Sequence, residues 1–143
     1  MTFEEADTIN QGIRVLSLRS RARAAALLSD LGLHPGQEVM LLELSRNGPL
    51  HQAQLSDRLS CEPPSITLMA RKLEAAGYIS RRQSKTDKRA VLVELTPAGR
   101  DLIEPIRRRW RILAEETIAN LEKDAIAALT IILSQIGQSL GGS

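Results

Sequence analysis

The sequence has few of the residue types that build disulfides, metal sites and aromatic binding surfaces. It contains one cysteine, two histidines, and one residue each of Phe, Tyr and Trp. A single cysteine excludes an internal disulfide framework and a zinc site of the Cys-pair type. So few aromatic rings also argue against binding of single-stranded nucleic acid by base stacking. We therefore expect an aliphatic core and neither a metal ion nor a cofactor.

Long hydrophobic runs are also missing. A membrane-spanning helix needs roughly 18–20 consecutive apolar residues, and runs such as 125–129 are far shorter. The first ten residues, MTFEEADTIN, are acidic and polar, which is unlike a signal peptide. At 143 residues the chain has the length of one domain, or of one domain with a helical extension. We expect a cytoplasmic protein that contacts no membrane.

The chain carries little net charge, but its basic residues are unevenly distributed. The formal net charge is +2, from 19 basic and 17 acidic residues. Segments 1–33 and 97–143 are each neutral, so the excess lies in residues 34–96. Within that region, residues 78–95 include five basic and two acidic side chains. A charge run alone is weak evidence, but this one marks a candidate surface for an anionic partner.

Hydrophobic periodicity and turn signals predict six helices and one β-hairpin. Apolar residues recur every three to four positions in the helical segments, whereas 78–82 and 90–95 have the pattern of strands. Helices are expected at about 3–30, 35–47, 51–60, 63–76, 97–119 and 122–139, followed by a tail at 141–143. A short helix, a tight turn, a second helix and a hairpin form a winged helix-turn-helix. The predicted fold class is mainly α with a small β-hairpin wing.

The helix at 63–76 is the candidate for insertion into the DNA major groove. Its expected inward residues are Ile66, Met69, Ala70 and Leu73. Its expected DNA-facing residues are Pro64, Ser65, Thr67, Leu68, Arg71 and Lys72. Arg and Lys can donate to guanine, Thr and Leu can contact a thymine methyl group, and amides at a helix N-terminus can bind phosphate. The alternative is that Arg71 and Lys72 are ordinary solvated side chains.

The hairpin is the second candidate for contact with DNA. Its basic residues Arg81, Lys85, Lys88 and Arg89 could reach phosphates or enter a narrow minor groove from a protruding wing. Asp87 is expected to hold the Arg89 guanidinium by a charge-assisted hydrogen bond. The alternative is an aspartate in a solvated turn.

These motifs, taken in order, resemble the MarR family of bacterial winged-helix regulators over about residues 32–103. The most telling segments are Leu55-Ser56-Asp57-Arg58-Leu59, Arg71-Lys72-Leu73-Glu74, Gly77-Tyr78-Ile79-Ser80-Arg81, Asp87-Lys88-Arg89 and Leu95-Thr96-Pro97-Ala98-Gly99. The resemblance implies a homodimer that binds a palindromic operator in double-stranded DNA, usually as a repressor. It implies that Arg89, supported by Asp87, reaches the flanking minor groove. It also implies that a small anionic or phenolic effector releases the DNA.

The terminal helices are expected to form the dimer. Segments 1–31 and 98–143 would make a helical dimerisation region, and 32–97 the winged helix-turn-helix domain. These helices carry more apolar surface than the central domain needs, and a symmetric dimer would bury it. A larger monomeric helical domain is the alternative. The candidate residues for an effector pocket between the two parts are Arg14, Arg21, His34 and Trp110.

Leu68 and His51 depart from what the resemblance implies, His51 because it stands where serine or threonine usually caps the short helix. Leu68 stands where the family often has arginine, which supports an alternative function as a protein-interaction module that does not bind DNA. Cys61 lies in the turn before the recognition helix, where we expect a packed side chain rather than a redox centre. The sequence has no HExxH motif, no glycine-rich phosphate loop and no Ser–His–Asp set, so we expect no enzymatic activity.

Overall fold

The computed structural model describes residues 1–141. Gly142 and Ser143, which the sequence places in a C-terminal tail, lie outside the described residues. The chain divides into two compact units, one from Met1 to Leu113 and one from Ala114 onward. The first contains the whole winged helix-turn-helix, and the second contains the end of the fifth helix and the sixth helix.

The first helix, α1 (Phe3–Leu28), begins at a capping box and ends close to the predicted position. The Thr2 hydroxyl accepts the Glu5 amide at 3.1 Å, and the Glu5 carboxylate accepts the Thr2 amide at 2.7 Å. Two amides that have no partner within the helix are thereby satisfied. A single 3-10 turn follows at Ser29–Leu31 and ends at Gly32.

The second helix, α2 (Gln37–Asn47), begins two residues later than Pro35, where the sequence prediction placed it. The reason is Gly36, whose backbone has a φ of 104° and so cannot continue a right-handed helix. The interior of α2 carries much of the core, and the helix ends at Gly48, as expected.

The helix-turn-helix consists of α3 (Gln52–Leu59) and α4 (Pro63–Ala75), both close to their predicted bounds. The turn between them is closed by the Cys61 amide, which donates to the Ser56 carbonyl at 3.1 Å. The Cys61 thiol is half-buried and donates to the Leu59 carbonyl at 3.3 Å, which agrees with a packing role in the turn.

The sheet has three antiparallel strands, one more than the sequence predicted. The hairpin strands β2 (Ile79–Gln83) and β3 (Val91–Leu95) lie within one residue of their predicted bounds. The additional strand, β1 (Leu50–His51), pairs with β3, so the order is β1-β3-β2. It has two residues, which is too short for an alternating pattern to show. It ties the start of α3 to the root of the wing.

The last two helices are α5 (Pro97–Ile118) and α6 (Lys123–Ser139). The predicted cap at Thr96 is present, because its hydroxyl accepts the Gly99 amide at 3.1 Å. The same hydroxyl donates to the Gly77 carbonyl at 2.6 Å and so joins the start of α5 to the turn before β2. The described residues thus form the six predicted α-helices and a small sheet.

The core is aliphatic, as the composition predicted. On α4, Ile66, Ala70 and Leu73 are buried as expected, while Met69 is only half-buried. The buried apolar residues of the core are Leu28, Leu33, Met40, Leu41, Leu42, Leu44, Leu50, Leu55, Ile66, Ala70, Leu73, Ile79, Val93, Ile103 and Ile106. They come from all five helices of the first unit and from the sheet, so this core holds α4 and the wing in place.

Candidate nucleic-acid interface

The outer face of α4 is exposed along its length. Leu68, Arg71 and Lys72 are exposed, as are Pro64 and Ser65 near the helix start. Thr67 is half-buried. This face therefore offers two cations, an apolar side chain and small polar groups, a combination that suits base edges in a major groove.

The N-terminus of α4 does not offer the free amides that the sequence analysis expected. Pro63 and Pro64 have no N–H, and the amides of Ser65 and Ile66 both donate to the Glu62 carbonyl, at 3.0 and 3.2 Å. The first turn is therefore satisfied internally, and phosphate contacts from this helix must come from side chains.

Arg81 is the predicted contact that the structure places away from the exposed face of the wing. Only 21% of its side chain is exposed, and its Nη2 lies 3.1 Å from Glu74 Oε1. Its backbone amide also donates to Glu74 Oε2 at 3.1 Å. Hydrogen bonding from Arg81 holds the pKa of the Glu74 carboxyl below its usual value. We therefore assign Arg81 to the joint between β2 and α4 rather than to direct contact with DNA.

The wing tip presents three cations on a compact turn. Lys85, Lys88 and Arg89 are exposed. Asp87 does support the turn, but through the backbone, because its Oδ1 accepts the Arg89 amide at 3.0 Å. The expected contact with the Arg89 guanidinium is thus replaced by one that fixes the chain direction and leaves this guanidinium exposed. Ser84 is buried beneath the tip, where its hydroxyl lies 3.0 Å from that of Thr86.

A cleft of about 250 Å³ opens beside the recognition helix. It brings together two of the four expected effector-pocket residues, Arg21 and His34. The other lining residues are Pro35, Gln37, Ser65, Leu68, Met69 and Lys72. Trp110 instead lines a small hollow between α1 and α5, and Arg14 lines neither. The structure therefore brings together two of the four expected residues in this cleft and not the other two, since a single sequence gives no register between helices that are distant along the chain.

Glu38 on α2 has a buried carboxyl group and was not among the predicted site residues. It is 5% exposed, and its Oε2 accepts the Gly36 amide at 2.8 Å. Burial raises the pKa of Glu38 above its ordinary value, although the charge of Arg21 opposes this shift. Its position within an apolar helix gave no separate signal in the sequence.

Replacing Glu38 by glutamine is expected to stabilise the protein at pH 7 relative to the wild type, and less so at pH 4. A carboxyl group whose pKa is raised by folding contributes stability below its unfolded value of about 4.5, and this contribution is lost as the pH rises through the folded pKa. Glutamine does not titrate and can still accept the Gly36 amide. Urea unfolding at both pH values measures the effect.

The matched control for this change is Glu115→Gln, which neutralises an exposed carboxyl group on α5. It should change the unfolding free energy little at either pH. A Glu38→Gln variant whose stability relative to the wild type does not depend on pH would contradict the assignment of a raised pKa.

Three arginines around Trp110, namely Arg107, Arg109 and Arg111, form ion pairs. Arg109 donates to the Leu27 carbonyl at 3.2 Å and to the Asp30 carboxylate, whose pKa it lowers. Arg111 lies 3.1 Å from Glu104. Arg109 thus fastens α5 to the end of α1, and this cluster needs no ligand to explain it. Within residues 1–141, no group of three or more His, Cys, Asp and Glu side chains could hold a metal ion. No helix of that range is long and apolar enough to cross a membrane.

Comparison with known proteins points to one family by sequence and by structure. The model of the MarR family matches residues 33–91. The chain is 31% identical to an uncharacterised HTH-type transcriptional regulator, YwoH, from Bacillus subtilis, over 85% of this chain and 87% of YwoH. It is 33% identical to the multiple antibiotic resistance protein MarR of Salmonella typhimurium over 76% of each. A mutant MarR from E. coli complexed with operator DNA has a similar structure, with a TM-score of 0.86, 25% identity, and coverage of 95% of this chain and 98% of that one.

Proposed function

The chain belongs to the MarR family of DNA-binding transcriptional regulators, and from that premise we propose that it represses transcription by binding a palindromic operator as a homodimer. The observation that carries the proposal is the exposed set of cations on two adjacent DNA-reading elements. Arg71 and Lys72 lie on the outer face of α4, and Lys85, Lys88 and Arg89 lie on the wing tip.

We assign different tasks to the two elements. The outer face of α4 enters the major groove, where Arg71 is placed to donate to a guanine edge and Leu68 to contact a thymine methyl group. The wing cations contact phosphates or the flanking minor groove. Leu68 also supports a second candidate function, that of a protein-interaction module, because an exposed apolar residue on this face would suit a protein partner. Binding of a palindrome by the wild type would decide for DNA.

We propose that the dimer is formed by the terminal helices, segments 1–31 and 98–143. On α6, the exposed apolar residues Ile132, Leu133, Ile136 and Leu140 share one helical face. Two copies of such a face meet in a symmetric dimer. The two recognition helices would then enter successive major grooves about 10 bp apart. A regulator of this kind works where its DNA is, so the proposal includes a cytoplasmic location.

We further propose that the cleft beside α4 takes a small anionic or phenolic effector. Arg21 and Lys72 supply positive charge to the cleft, and Leu68 and Met69 supply apolar surface. Because Lys72 and Leu68 also belong to the proposed DNA-facing surface, an occupant of the cleft would compete with DNA for the same side chains. This overlap explains release without a large rearrangement of the fold.

Replacing Arg89 by alanine is expected to weaken binding to all DNA sequences about tenfold, the loss of one charged hydrogen bond. It should also reduce the slope of log affinity against log salt by about one. The measurement is titration of a fluorescent duplex at several salt concentrations. Arg108→Ala, which removes one exposed charge from α5, is the control. Equal affinities for Arg89→Ala and the wild type would contradict the role of the wing.

A further inference from the structure

Gln52, the first residue of α3, bridges the wing and the recognition helix. Its Nε2 donates to the Thr67 hydroxyl on α4 at 3.2 Å. Its Oε1 accepts from Nη1 of Arg81 on β2 at 3.4 Å. These contacts fix the direction of the amide, because a flipped amide would place two donors, its own NH2 and the guanidinium, against each other.

Arg81 is a firm anchor for this bridge. Its guanidinium and its backbone amide both donate to the Glu74 carboxylate, each at 3.1 Å. The side chain is mostly buried and has little freedom to turn. The Gln52 amide is therefore held from the wing side, and its NH2 group remains directed at Thr67.

The proton of the Thr67 hydroxyl is consequently committed within the protein. A hydroxyl group has one proton to donate and two lone pairs. The Thr67 hydroxyl lies 3.1 Å from the Pro63 carbonyl and donates to it, while one lone pair accepts from Gln52. A donor aimed at this oxygen turns the hydroxyl proton away, toward Pro63. Thr67 is half-buried, and it therefore has its methyl group and one lone pair, but no hydroxyl proton, to present to another molecule.

We propose that Gln52 is a specificity-determining positioning residue: by holding the Thr67 hydroxyl, it makes the recognition helix read a thymine methyl group through the methyl group of Thr67. This inference rests on the proposed function, since it assumes that α4 lies in the major groove. The thymine methyl group is exposed there and gives an apolar contact. Gln52 acts through Thr67 and needs no contact with DNA of its own.

The test compares variants of Thr67 on the site that the wild type selects from a random duplex pool. Thr67→Val keeps the methyl group and the side-chain shape, so its base preference should equal that of the wild type. Thr67→Ser keeps the hydroxyl and loses the methyl group. Its preference for thymine at one base pair of each half-site should fall about fourfold, the value of one methyl-sized contact.

The Gln52 variants separate positioning from a merely structural role. Gln52→Met keeps the length of the side chain and removes both hydrogen bonds, so the thymine preference should fall while the salt slope stays constant. In the double variant Gln52→Met with Thr67→Val the preference should return, because valine has no hydroxyl to redirect. A loss of packing would not be rescued in this way.

Several results would overturn the inference. If Thr67→Val lost the thymine preference, the hydroxyl group rather than the methyl group would be the part of Thr67 that reads the base. The inference would also be contradicted if Gln52→Met or Thr67→Ser kept the thymine preference of the wild type. It would be contradicted as well if the double variant did not regain that preference. If the wild type selects no site, both the proposed function and this inference fail. That outcome is distinct from one in which the wild type selects a site and the variants keep its base preference, which would overturn this inference alone.

Discussion

Replacing both Ile132 and Ile136 by aspartate is expected to convert the protein into a monomer and to lower its affinity for a palindromic operator at least about 100-fold. In a single chain these side chains are 47% and 41% exposed, although they are large and apolar. Burial of unpaired carboxylates in the proposed interface would be strongly unfavourable. A monomer engages one half-site and loses the gain that comes from binding two half-sites with one molecule.

Sedimentation and duplex titration measure the two consequences separately. Ser134→Asp is the control, since it places one such charge on the exposed opposite side of α6. It should leave both the dimer and the affinity intact. A double variant that remains a dimer would contradict the interface, and a monomer that binds the operator as tightly as the wild type would contradict the role of the dimer.

The second large effect is expected from Gly99→Ala, which should destabilise the fold by about 3 kcal/mol. A Cβ atom at Gly99 would lie 2.0 Å from the backbone oxygen of Tyr78. That oxygen also accepts the Thr96 amide at 3.0 Å, so α5 is held close to the turn before β2. The added Cβ atom is fixed to the backbone of α5 and would collide with the backbone of Tyr78. Relief therefore requires α5 to move away from the winged domain.

Gly137→Ala provides the control for this prediction. It adds the same methyl group to a helical glycine, where a Cβ atom would meet no atom within 4 Å apart from its chain neighbours and the backbone of its own helix. Alanine should stabilise α6 there by about 0.5–1 kcal/mol through helix propensity. Urea unfolding at one protein concentration compares the variants, since the stability of a dimer depends on concentration. Similar stabilities for the two alanine variants would contradict the close approach at Gly99.

Most of the fold was predictable because the boundaries of its helices are set by residues close to them in the sequence. Thr2 and Thr96 cap helices, Gly32 and Gly48 end helical segments, and the apolar periods identify the buried faces. Two features escaped prediction for physical reasons. The strand β1 is too short to show a period, and the delayed start of α2 depends on the backbone angles of Gly36 rather than on Pro35.

The candidate site was predictable in its surface residues and less so in its internal contacts. Arg71, Lys72 and Arg89 are exposed as expected, because their faces follow from the helix period and the hairpin turn. Arg81 has the same charge, but its distance to Glu74 is set by the packing of β2 against α4. Such pairings join segments that are separated along the chain, and one sequence does not reveal them.

Above all, we propose that the protein recognises a defined palindrome as a dimer. Selection of bound duplexes from a random pool, followed by titration of the selected sequence across salt concentrations, tests it most directly. We expect an enriched palindrome with half-sites about 10 bp apart. We also expect a steep loss of affinity with salt, because the wing cations are proposed to contact phosphates. The absence of any enriched sequence, even at low salt, would contradict it.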